Sequence, residues 1–173
     1  MKTRSIGFWA IATLAASLFG APVAHSATEL FSANLSGENE VPPINTAGAA
    51  TFHMDIGSTI TFSLTFSGLS AAPAVAHLHF APTKVNGGVT IFLCGGGGQP
   101  ACPAATSGTI TGTITAANVV GPTTQGIAPG DLDSALEAVR AGLAYANMHT
   151  VNFPGGEIRG QVRRGDSKDV DLP

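Results

Sequence analysis

Charge of either sign is scarce in this chain, and basic charge is the scarcer: 173 residues hold eight Lys and Arg against eleven Asp and Glu. Nucleic acid calls for a basic face, so that class of partner is excluded. Long apolar runs are also missing. The longest, from Ile6 to about Phe19, falls short of the about 20 residues that a membrane-spanning helix needs. No glycine-rich phosphate loop and no nucleophile elbow appears. No Ser/His/Asp set or pair of carboxylates is legible, so hydrolase chemistry has no visible machinery. There is no internal repeat and no domain linker, and aromatic residues make up only 6% of the chain.

The short apolar run has its own meaning. Lys2 and Arg4 precede it, and "GAPVAHS" follows, with Ala24 and Ser26 at small-residue positions. This is the pattern of a secretory signal peptide over residues 1–26, with cleavage expected after Ser26. The leader contains no cysteine, so a lipoprotein anchor is not expected, and no membrane span remains once the signal is removed. Without Lys2 and Arg4, six basic residues face eleven acidic ones, a formal charge of −5. The expected location is secreted or periplasmic. The mature part reads as one domain over residues 27–163, followed by a polar, disordered tail over 164–173.

Only two cysteines are present, Cys94 and Cys102, flanking "GGGGQPA". In an exported chain they predict one disulfide. Two free thiols are the plain alternative. A thiolate metal site is the other, but seven intervening residues suit no common paired-cysteine motif.

Alternation is frequent. In "ATFHMDI" (50–56) Ala50, Phe52, Met54 and Ile56 fall on one face, and in "TITFSLTF" (59–66) Ile60, Phe62, Leu64 and Phe66 do the same. This is the period of a half-buried strand, and the "GS" between the two runs predicts a hairpin. Further strands are expected over 30–36, 74–80, 88–93, 108–115, 143–150 and 157–163. Such spacing predicts an all-β antiparallel sandwich or barrel. One short helix is expected near 131–141, with Asp131 as N-cap, Leu132, Leu136 and Val139 on one face, and Gly142 as its stop.

Against this plain background the histidines stand out. "AHLHF" (76–80) puts His77 and His79 on one face of a strand, roughly 6.5–7 Å apart, with Leu78 and Phe80 on the other. His149 ends another expected strand and is the candidate third ligand. Opposed residues of paired strands lie about 4.5–5.5 Å apart, so the three can converge. An all-imidazole set suits copper first and zinc second, and three ligands leave a position open. Rings with an ordinary pKa near 6.5 would lose the ion between about pH 7 and pH 5. On spacing alone an equally plain reading remains, in which the imidazoles bond backbone groups and serve structure. His53, on the polar face of its strand, is a candidate fourth ligand. Asn147, Glu157 and Arg159 are candidates for supporting the ligands from behind, with Glu157–Arg159 as an ordinary same-face pair the alternative. Tyr145 shares the strand face of Asn147 and His149, and Glu38 and Glu40 could reach a metal but read first as turn residues.

"LSGENEVPP" (35–43), "AHLHFAPTKVNGGVTIFL" (76–93) and "GLAYANMHTVNFPGGEIRGQV" (142–162) resemble the signature blocks of the CHRD domain, the module named after chordin. The resemblance spans nearly the whole mature chain. It implies an immunoglobulin-like, Greek-key β-sandwich, distantly like the copper–zinc superoxide dismutases, which also use a His-x-His pair and later histidines. A zinc-loop cluster of His and Asp is not seen, and the expected disulfide is local. Three functions therefore stand open: an exported module that binds a transition metal, an extracellular or envelope module for protein interaction or structure, and a dismutase-like redox enzyme.

Overall fold

The computed structural model describes residues 27–165. The expected signal peptide and the tail from Asp166 onward lie outside the described residues. The strands are β1 (Glu29–Ser36), β2 (Ala49–Ile56), β3 (Ile60–Ser67), β4 (Pro73–Phe80), β5 (Gly88–Cys94), β6 (Gly108–Ile114), β7 (Ala144–Thr150), β8 (Ile158–Gln161) and β9 (Arg163–Arg164), with one α-helix, α1 (Leu132–Arg140).

Every strand pairing is antiparallel, as the alternating pattern requires. The order is β5-β4-β7-β8-β1-β2-β3-β6, with β9 pairing β1. One hydrogen-bonded path thus joins the sheet. Its two ends also meet: Gln99, just after β5, donates to the Thr113 carbonyl of β6 at 2.9 Å, and Asn118 donates to the Gly97 carbonyl at 2.9 Å. The sheet curls around its core as a near-barrel, and the all-β antiparallel expectation with one short helix holds.

The alternation places the core. Phe52, Met54 and Ile56 of β2, Phe62, Leu64 and Phe66 of β3, and Phe31, Ala33 and Leu35 of β1 all point inward and are buried. Ala76 and Leu78 of β4, and Ala144, Ala146 and Met148 of β7, continue that interior. Helix α1 closes one side with Ala135, Leu136, Ala138 and Val139. The Asp131 carboxylate caps it, accepting from the Ser134 N–H at 3.1 Å. Cys94 and Cys102 are joined in a disulfide, with Cα atoms 5.0 Å apart.

Two details differ from the expectation. The strand foreseen over 157–163 begins at Ile158 and is interrupted at Val162, with the pieces on either side holding one register on β1. Arg164 pairs with Phe31 in β9, so regular structure reaches into the first residue of the expected tail. No helix among the described residues is long and apolar enough to cross a membrane.

Candidate metal centre

The far face of β4, β7 and β8, away from the apolar core, is polar and yet buried. Registration across the strands builds it. His77 stands opposite Asn147, which stands opposite Arg159; His79 stands opposite Tyr145, which stands opposite Gln161. His149 follows Asn147 by two residues on the same strand, so the pleat keeps it on that face. Register shifts in the β4–β5 ladder precede both His77 and His79, the kind of local irregularity that re-aims a side chain.

Three segments cover this face. Gly87 brings its carbonyl 2.9 Å from His79 Nδ1 and its N–H 3.3 Å from the Tyr145 hydroxyl oxygen. A Cβ at residue 87 would lie 2.0 Å from the Phe80 carbonyl oxygen, so only glycine lets the loop approach this closely. Pro154, after β7, places its carbonyl 3.0 Å from His149 Nδ1. The turn that begins at Gly37–Asn39 delivers Glu40, whose carboxylate meets Arg159 Nε at 2.7 Å. Arg159 also donates to Asn86 Oδ1 at 2.7 Å. As a result His77, His79 and His149 are only 6%, 9% and 8% exposed.

The three imidazoles converge. The ring centroids of His77 and His79 lie 4.5 Å apart, those of His77 and His149 4.6 Å, and those of His79 and His149 6.2 Å. One candidate ligand atom from each residue lies within 4.8 Å of the other two. An ion shared by imidazole ligands sits at about 2.0–2.1 Å from each. The carbonyls of Gly87 and Pro154 accept only from protonated Nδ1 atoms, which directs the lone pair of His79 and of His149 to Nε2. Those two Nε2 atoms, and His77 Nδ1, are buried without a hydrogen-bond partner in the protein. A buried nitrogen left bare costs about 1–3 kcal/mol, and an ion would use all three. The donor set therefore fits a transition metal.

Electrostatics suit neutral rings. Burial, with the neighbouring rings His79 and His149, lowers the His77 pKa to about 3. Burial likewise lowers His79 to about 4, against the Gly87 hydrogen bond, and depresses His149. The low values at His77 and His79 run against the expectation that protons displace an ion between pH 7 and pH 5, since those two rings stay neutral to lower pH. Tyr145 stacks on His79 with ring planes 5° apart and centroids at 4.6 Å, and the Arg159 guanidinium carbon lies 4.6 Å from the Tyr145 ring centre. Burial pushes the Glu40 carboxyl above its ordinary value, although Arg159 pulls the other way.

The remaining sequence candidates divide. Asn147 and Arg159 do lie in the polar layer beside the triad. Glu157 does not. Its carboxylate accepts from Thr46 Oγ1 (2.7 Å), Ser70 N (2.8 Å), Ser70 Oγ (2.7 Å) and Thr150 Oγ1 (2.6 Å). Burial raises its pKa, and these bonds outweigh burial to hold it below the usual range. Glu157 precedes the first paired residue of β8, Ile158, so strand alternation with Arg159 does not apply to it. His53 is exposed on β2, opposite Ser32 and Ser63, and is not in the triad's group. Sequence reasoning put Tyr145 on the face of His149 without its stacking on His79, missed the part played by Asn86 and the carbonyls of Gly87 and Pro154, and placed Glu40 in a turn without seeing its partner. All of them fall inside the three sequence blocks quoted above, which is the signal that could have found them.

Among the curated proteins and among the solved structures, nothing matches this chain, so the likeness to superoxide dismutases gains no support. The family model of the CHRD domain matches residues 31–162, from the third residue of β1 to just past the end of β8, with all three histidines inside. The chain belongs to the CHRD domain family.

Proposed function

We propose that this protein is an exported binding module that holds one transition-metal ion, copper first and zinc second, through His77, His79 and His149. One observation carries the reading: three buried histidines whose candidate ligand atoms converge, each ring also holding a buried nitrogen without a partner in the protein. Purely structural histidines would spend both nitrogens on hydrogen bonds. His79 and His149 spend one each, on loop carbonyls, and that bond orients the other nitrogen toward the cluster. Among the described residues this is the one group of His, Cys, Asp or Glu of that kind, which favours a one-ion module over a two-metal enzyme. Export accords with the leader pattern and with the Cys94–Cys102 bond.

Isothermal titration with Cu(II) and with Zn(II) at pH 7 tests the proposal. One equivalent should bind, copper the more tightly. His79→Ala should weaken copper by more than about 100-fold, beyond what loss of a mere supporting group costs. His53→Ala should match the unmutated protein. If neither ion binds, the interaction-module reading survives instead.

A further inference from the structure

Seven buried side-chain polar atoms among the described residues lack a hydrogen-bond partner. Three are the bare imidazole nitrogens. Three others lie in the same layer: Glu40 Oε1, Asn147 Oδ1 and Arg159 Nη1. Their residues are 2%, 1% and 5% exposed, so bulk solvent does not serve them. Buried polar atoms are nearly always paired, and unpaired ones that cluster point to a small polar occupant.

Geometry ties them to the triad and to one another. Asn147 is the direct cross-strand neighbour of both His77 and Arg159, and stands two residues from His149 on one face. Arg159 Nε already holds Glu40 Oε2, which leaves Oε1 free on the same carboxylate. Gly156 packs closely over them: it has φ +125°, and a Cβ there would lie 2.6 Å from Glu40 Oε1, 2.9 Å from Asn147 Oδ1 and 3.0 Å from Asn147 Nδ2, so only a bare backbone fits beside these polar atoms.

We infer that this layer is a binding site for an exchangeable water, the fourth ligand of the ion held by His77, His79 and His149. The chemistry of the three protein atoms selects the ligand class. Glu40 Oε1 and Asn147 Oδ1 accept hydrogen bonds, and Arg159 Nη1 donates one. Water has two protons for the acceptors and two lone pairs, one for the guanidinium N–H and one for the metal. Asn147 is the positioning residue, because it stands between His77 and Arg159 and, unlike Tyr145, brings an unpaired acceptor to the layer. The inference rests on the metal reading above and adds what sits opposite the histidines.

The test uses the full mature chain loaded with one equivalent of Cu(II) in water enriched in oxygen-17, followed by electron paramagnetic and hyperfine spectroscopy. The unmutated protein should show an oxygen-17 coupling on copper beside the imidazole nitrogen couplings. Asn147→Leu, similar in size but without hydrogen-bonding atoms, should keep the nitrogen couplings and one equivalent of copper and lose most of the oxygen-17 coupling. Nitrogen couplings without oxygen-17 in the unmutated protein would overturn the water site and leave the metal site standing. An unchanged oxygen-17 coupling in Asn147→Leu would overturn the role of this layer. A protein that takes up no copper loses both readings. If Asn147→Leu does not fold, the oxygen-17 result on the unmutated protein still decides whether the fourth ligand is water.

Discussion

Individual side chains in this protein divide by which network they join, and neighbours in sequence can join different ones. Glu157 and Arg159 are two residues apart, yet Glu157 ties Thr46, Ser70 and Thr150 together while Arg159 serves Glu40 and Asn86. Glu157 is fully buried and has no cation among these partners, so four donors carry its charge. Glu157→Ala should therefore destabilise the fold by about 3 kcal/mol, since hydrogen bonds to a charged group contribute about 1.5–3 kcal/mol each and the buried Thr150 hydroxyl would lose its acceptor. Urea denaturation measures this. Copper stoichiometry in the folded fraction should stay at one. A copper loss as large as that of His79→Ala would return Glu157 to the metal site.

At the scale of elements, loops finish what strands begin. Strands β4 and β7 bring three imidazoles to one face, but the carbonyls that choose their tautomers come from Gly87 and Pro154, both in connecting segments. The Cys94–Cys102 bond closes another connection, between β5 and β6. It is local, and no part of the triad hangs on it. A thiol assay on denatured, unreduced protein should find almost no free thiol; two titratable thiols would sink the crosslink. Reduction should speed hydrogen exchange across residues 94–102 and leave β4 and β7 protected. Chain entropy assigns a crosslink across a 15-residue loop about 3 kcal/mol, and the loop closed here is shorter, so the loss of stability should stay below that.

For the whole molecule, the buried rings couple stability to pH. In the unfolded chain a histidine binds its proton near pH 6.5; in the fold His77 and His79 do so only near pH 3 and pH 4. Below about pH 6.5 the unfolded state thus carries more protons, and stability rises with pH in that window. The metal-free protein should hold constant stability from the rings' contribution above pH 7 and lose it progressively as pH falls toward 4. Melting temperatures across pH 7 to pH 4 check the sign; a rise toward acid would refute it. The same low values at His77 and His79 mean that protons compete little with copper for those two rings between pH 7 and pH 5, so affinity should fall less over that window than it would at surface-like histidines. The sequence alone determined the strands, the helix, the local disulfide and the shared face of His77 and His79, because alternation, capping and i, i+2 direction are properties of short segments. It did not show that the outer face of β4 and β7 is buried, that His53 stands apart on β2, or that Glu40 reaches Arg159. Those follow from strand order and from where the covering loops cross the sheet. The rings' neutrality, the bare nitrogens and the unpaired atoms of Glu40, Asn147 and Arg159 arise only from that enclosure, since desolvation is a property of the packed fold and not of any segment.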